Sequence, residues 1–236
     1  MKRIASLLTI LVLLNLLACI SFPASAVFED VGLKSQDLSR DQQEAIWRNL
    51  TLSPLDSEVQ ALPIACFDVQ NSGRIALGFG GSTEKYVCIY GPDGEFQHGY
   101  SFTCNGSFGV RWEQDNLILY LVRSSTQVLI SPEGEFLGAA KFADSADTSV
   151  YLNQIVFATE RTVGEKTYTL RSNWGVFASS YSRLLAIDDS GNEQILYDSS
   201  ANERINGILI LSAAAAFVLF TVLTLRKVIR QSAGRH

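Results

Sequence analysis

With 236 residues, 47% of them apolar, and a mean hydropathy of +0.14, the chain has room for one ordinary domain together with apolar segments that a purely soluble protein would not carry. All 24 acidic residues lie between residues 27 and 205, against 13 of the 19 lysines and arginines, so that stretch has a net charge of −11. Such a surplus excludes a basic surface that neutralises nucleic-acid phosphates and suits an exposed acidic surface or a basic partner.

At the N-terminus Lys2 and Arg3 precede an apolar run from Ile4 to Ile20, and the small residues Ala24-Ser25-Ala26 follow. This is the pattern of a secretory signal, residues 1–26, with Ala24 and Ala26 framing the cleavage site. Two alternatives compete. Leu16-Leu17-Ala18-Cys19 matches a bacterial lipobox, in which Cys19 would be lipidated and become the first residue, and the segment could also stay uncleaved as an anchor.

Residues 27–62 read as a helical lead-in packed on the main domain. Ser39 can cap a helix, Gln42 completes a capping box, and the helix runs to about Leu50 with Ala45, Ile46 and Leu50 on one face and Trp47 beside them. Leu52, Pro54 and Pro63 break the pattern.

From Pro63 onward strands and turns alternate. Gly91-Pro92-Asp93-Gly94 and Ser131-Pro132-Glu133-Gly134 are hairpin loops, with Pro presetting φ and Gly taking the left-handed position. Asn71-Ser72-Gly73 and Asp189-Ser190-Gly191 are weaker versions. The segments between have β composition: RIALGF, KYVCIY, EFQHGYSF, NLILYLV, TQVLI, NQIVFAT, KTYTL, RLLAI and EQILY. They group as four strands from Ile64 to Phe102, four from Phe108 to Phe142 and a looser four from Val150 to Tyr197. Residues 89–102, IYGPDGEFQHGYSF, recur 40 residues later as LISPEGEFLGAAKF. Asn116 to Val122 is apolar on both faces, as in a strand sandwiched between neighbouring sheets. Four strands every ~40 residues is the signature of a propeller blade.

The phrase "apolar–turn–Pro-Asp/Glu-Gly-Glu-Phe" resembles the outer hairpin of bacterial extracytoplasmic β-propeller-type repeat proteins. The resemblance covers residues 63–142 well and 150–198 loosely. It implies an all-β ectodomain, residues 63–205, of about three propeller-like units, each a four-stranded antiparallel sheet. Three blades fall short of the usual four in a ring. The N-terminal helix could cover one edge, two copies could close one ring, or the strands could form a curved sandwich.

Little in this ectodomain reads as chemistry. His98 is its only histidine and no metal-binding spacing occurs, so no catalytic, cofactor or metal residue is expected. His98 alternates with Phe96 and Tyr100, and all three are expected on one face. Cys66, Cys88 and Cys104 read as small buried hydrophobes, while an exported compartment permits a disulfide between two of them and their odd number leaves at least one free or intermolecular. The carboxylate pairs Asp93/Glu95, Glu133/Glu135 and Asp188/Asp189 sit at turns. Asn49-Leu50-Thr51 and Asn105-Gly106-Ser107 are formal glycosylation sequons. Trp174, Phe177 and Tyr181 lie in the longest departure from the repeat and are candidates for binding a partner, although ordinary inter-strand loops use the same residues.

At the C-terminus Gly207 to Leu225 are 19 residues without a charge, followed by Arg226, Lys227, Arg230 and Arg235. This predicts a transmembrane helix over residues 206–225 and a basic cytoplasmic tail over 226–236, with the N-terminal domain outside and the bilayer as a partner. Ser212 and Ala216 form a small-xxx-small pair that would suit a homodimer. The expected function is that of a single-pass, membrane-anchored binding protein for an extracytoplasmic protein partner or a second copy of itself, not an enzyme. An accessory subunit of a membrane complex and a small carboxylate-dependent surface hydrolase are the alternatives.

Overall fold

Ser39 accepts a hydrogen bond from the Gln42 amide and Gln42 Oε1 accepts from the Ser39 amide, so the capping box read from the sequence forms at the start of helix α1, Arg40–Leu50. The computed structural model describes residues 33–60, 62–172, 181–201, 212 and 217. Two short strands flank α1, β1 (Ser35–Asp37) and β2 (Ser53–Pro54). Thr51 ends the helix in a left-handed conformation at φ 46°.

The chain then makes three up-and-down antiparallel meanders of four strands each. The first comprises β3 (Ile64–Val69), β4 (Ile75–Gly80), β5 (Glu84–Tyr90) and β6 (Phe96–Thr103). The second comprises β7 (Phe108–Glu113), β8 (Asn116–Leu121), β9 (Thr126–Ile130) and β10 (Phe136–Phe142). The third comprises β11 (Glu160–Val163), β12 (Lys166–Arg171), β13 (Arg183–Asp188) and β14 (Glu193–Asp198). The protein is therefore mostly β, in three antiparallel sheets, none of them closed. The lead-in covers two outer edges: β2 pairs with β6, and β1 with β10. Above β10, Trp47 of α1 stacks on Phe136 with ring centroids 5.1 Å apart, and Gln43 Oε1 accepts from the Ala139 amide.

The first sheet is the middle layer. One of its faces contributes Ala76, Val87, Ile89 and Phe102 to a core shared with Val110, Leu119, Val128 and Ile130 of the second sheet. Its other face contributes Phe67, Leu77, Phe79 and Tyr90 to a core shared with Tyr168, Leu170, Leu184 and Leu196 of the third. Strand β8 is buried on both faces, as its continuous apolar run predicts. Its second face is covered not by another sheet but by Leu33 and the helical segment that follows β10.

Four hairpin loops share one hydrogen-bond pattern. In each, the fourth-position glycine donates back to the loop's first residue while that residue's amide bonds forward: Gly73 to Gln70, Gly94 to Gly91, Gly134 to Ser131 and Gly191 to Asp188, with φ between 81° and 88°. The repeated phrase has a second, tertiary meaning. A Cβ on Gly134 of the second sheet would meet the ring of Tyr100 in β6, and one on Gly94 of the first sheet would meet the Leu196 backbone in β14. Each copy of the phrase thus rests on the fourth strand of a neighbouring sheet. Gly191, in the third sheet, has open space instead.

Three expectations are corrected. Phe96 pairs with Tyr90 while His98 pairs with Ile89, so a β-bulge at Gln97 turns Phe96 to the face opposite His98 and Tyr100. The second copy of the phrase carries the same bulge at Leu137, between Phe136 and Gly138. NQIVFAT is not a strand. Ser145 caps helix α2, Ala146–Tyr151, which passes into a π-helical turn, Leu152–Val156. Leu152 and Val156, four apart, lie on one helical face and fill the second sheet's outer core, a period that a short apolar run conceals. The third sheet accordingly begins at Glu160 rather than Val150. Among the described residues no helix is long and apolar enough to cross a membrane. The predicted span and tail fall almost wholly outside the described residues, as do residues 1–26 with Cys19, Ala24 and Ala26.

Candidate functional site

The first strands of all three sheets meet at one carboxylate. In β3 the sequence IACFDV places Asp68 between Phe67 and Val69, and the residue is 6% exposed. A buried carboxylate must be paired. Asp68 Oδ2 accepts from the Trp112 amide of β7 at 2.8 Å. Arg161 Nε of β11 lies 3.0 Å from Asp68 Oδ1, and Arg111 Nε of β7 lies 3.9 Å from Oδ2. Burial pushes the Asp68 carboxyl above its ordinary value, and the Trp112 amide, Arg161 and Arg111 act in the opposite direction.

The two arginines are held from behind by the α2 segment. Arg111 Nη1 donates to the Tyr151 hydroxyl, which lies 3.4 Å from that of Tyr120. Arg161 Nη2 donates to the Ile155 carbonyl. For Arg111, burial works against the charge, but Tyr151 and then Asp68 outweigh it and hold the guanidinium above its ordinary pKa. The helical segment that replaced an expected strand therefore positions both cations.

Asp68, Arg111, Trp112, Ile155 and Arg161 line one side of a cavity of about 680 Å³. The β3–β4 loop closes another side with Gln70, whose Nε2 donates to the Gln114 carbonyl and to Asp115 Oδ1. Arg74 lies over the Trp112 ring, 4.9 Å from its centroid, and 3.8 Å from Asp115. Arg111 Nε, Trp112 Nε1 and Arg161 Nε are shielded from solvent without an aligned acceptor. Each such donor costs about 1–3 kcal/mol while unmet.

A second cavity, of about 420 Å³, lies between α1 and the edges of the first two sheets. Both sequon asparagines, Asn49 and Asn105, line it together with Cys104 and Arg123.

The residues singled out from sequence lie elsewhere. His98 meets Tyr100 edge-on at 5.7 Å, and burial, then Arg74, lowers its pKa. Tyr181 is 36% exposed and its carbonyl accepts from the Ile64 amide, so it ties the third sheet's loop to β3. Trp174 and Phe177 lie outside the described residues. The carboxylate pairs stand at separate turns. Asp93 accepts from the Glu95 amide, Ser131 from the Glu133 and Glu135 amides, and Asp188 from the Ser190 and Asn192 amides. Cys66, Cys88 and Cys104 are free and buried, and burial pushes the Cys88 thiol up to about 11. Among the described residues no group of three or more His, Cys, Asp or Glu could hold a metal ion.

Asp68, Arg74, Arg111 and Arg161 were not picked out from sequence. The available signal was a charge set among apolar strand residues, Asp68 in IACFDV and Arg111 in FGVRWE, which obliges a partner from elsewhere in the chain. No protein-family model matches this chain, and no curated protein resembles it significantly.

Proposed function

We propose that this chain is a membrane-anchored extracytoplasmic binding protein, whose propeller-like stack of three sheets presents a recognition site rather than a reaction centre. The carrying observation is the Asp68–Arg111–Arg161 junction, where one residue from the first strand of each sheet builds the wall of the larger of the two cavities described above. Rigid strands position such a wall better than loops do. Its charged groups are engaged with one another, and a cavity of this size suits a small molecule or a partner's side chains. The apolar segment 207–225 and the basic residues after it supply the anchor in this reading.

The test has two parts. Protease added to intact cells should remove the ectodomain and leave a membrane-embedded fragment carrying the C-terminus. Cross-linking in the native membrane should capture a ligand or partner whose yield falls when Arg111 is replaced by Gln. An ectodomain protected from protease, or a chain extracted by alkaline carbonate, overturns the reading.

A further inference from the structure

The cavity at the three-sheet junction has a positive charge balance. Arg74, Arg111 and Arg161 face Asp68 and Asp115, a local net charge of +1 in a segment whose net charge is −11. Asp68 is already committed, since the Trp112 amide and both deeper arginines engage it. It is a positioning residue, not a free acceptor for a cation. The donors that the cavity can reach are guanidinium groups: Arg74 and Arg111 both line it, with side chains 24% and 27% exposed. A carboxylate is acceptor-only and offers two oxygens to such donors.

Charge balance selects among oxyanions. One negative charge neutralises the site, whereas a phosphate at close to two would leave an excess of negative charge beside buried Asp68. The cavity also has an apolar side, formed by Ile155, 37% exposed, and the Trp112 ring beneath Arg74. Its volume, about 680 Å³, exceeds what a bare anion needs and matches a small organic molecule.

We propose that this cavity binds a small organic molecule bearing one carboxylate, with the carboxylate received by Arg74 and Arg111 and the apolar body lying against Ile155. The proposal rests on the reading of the chain as a binding module.

The test uses the full-length protein in detergent and four probes: hexanoate, benzoate, benzamide and phenyl phosphate. Binding is followed by ligand-observed NMR, which also shows whether a probe is chemically altered. Both carboxylates should bind, benzamide should bind at least about tenfold more weakly, and phenyl phosphate should not exceed benzoate. Arg111→Gln should weaken benzoate by about tenfold or more. Arg74→Gln, at the cavity rim and away from Asp68, should weaken it several-fold and guards against misfolding of the deeper variant. Equal affinity for benzoate and benzamide, tighter binding of phenyl phosphate, or unchanged affinity in both variants overturns the proposal. If no carboxylate binds while cross-linking still captures an Arg111-dependent partner, the ligand class falls and the binding-module reading stands. Conversion of any probe to product overturns the binding-module reading itself.

Discussion

A Cβ placed on Gly134 would lie 2.5 Å from Cε1 of Tyr100, and the Tyr100 hydroxyl donates to the carbonyl of Pro132 in the same loop. The turn of the second sheet is thus seated on the fourth strand of the first. The turn of the first sheet repeats this on the third, with Gly94 against the backbone of Leu196. The recurring fourteen-residue phrase encodes an inter-sheet contact as well as a hairpin.

Gly134→Ala should therefore destabilise the protein for two separable reasons. The position has φ +83°, which costs a non-glycine residue about 1 kcal/mol, and the new methyl group collides with an aromatic ring, which adds about 1–3 kcal/mol. Gly191→Ala is the control, because its φ is +81° but nothing lies within 4 Å of the added Cβ. Urea unfolding of the two variants should show Gly134→Ala as the costlier by the steric part alone. Equal losses would show that the turn does not bear on Tyr100.

Asp68 is the keystone of the three first strands. Asp68→Ala removes the counter-charge of Arg111 and Arg161 and the acceptor of the Trp112 amide, and breaking a buried pair from one side costs about 3–5 kcal/mol. Asp68→Asn keeps an oxygen for the amide and should cost less. The order Asp68→Ala, then Asp68→Asn, then wild type in increasing urea midpoint is the expected result. Indistinguishable midpoints would mean that the junction carries no stability.

Much of the architecture was legible because local rules governed it. Ser39 and Gln42 form the capping box that their spacing announces, and the glycines of the hairpin loops take the left-handed position that only they adopt freely. What was hidden depends on registers and on tertiary partners. A bulge at Gln97 follows from one extra residue in β6 relative to β5, which no periodicity in β6 alone displays. NQIVFAT has strand composition but its first four residues are helical, because Leu152 and Val156 together fill the face of β8. The candidate site was hidden for the same reason. Asp68, Arg111 and Arg161 stand on three different sheets, and no spacing in the sequence brings them together.

The helical segment that holds the arginines is itself held by a small residue. A Cβ on Gly109 of β7 would lie 2.1 Å from Val156 Cγ1, and Val156 is fully buried. Gly109→Ala should destabilise by about 1–3 kcal/mol through overpacking. In a Val156→Ala background the colliding methyl is gone, so the same substitution should cost much less. The double-mutant cycle should give a coupling of about 1 kcal/mol or more, and additive losses would show that the π-helical turn does not press on β7.

The last prediction concerns acid stability and the third hairpin. Asp188 is exposed, yet its carboxylate accepts hydrogen bonds from the Asn192 side chain and from the Ser190 and Asn192 amides. The Asn192 side chain is the largest influence, and together these donors hold the carboxyl below its ordinary value. A carboxyl with a lowered folded pKa binds fewer protons when folded than when unfolded. Its contribution is therefore complete above the unfolded Asp value near pH 4 and is lost as pH falls through the lower folded value. Asp188→Asn removes the titration while keeping one acceptor oxygen for the turn. Wild type should lose stability relative to Asp188→Asn as pH falls from about 5 to about 2, and the two curves should run parallel above pH 5. Thermal unfolding at half-unit steps of pH across that range would show the convergence. Parallel curves throughout would mean that the Asp188 hydrogen bonds do not favour its charged form.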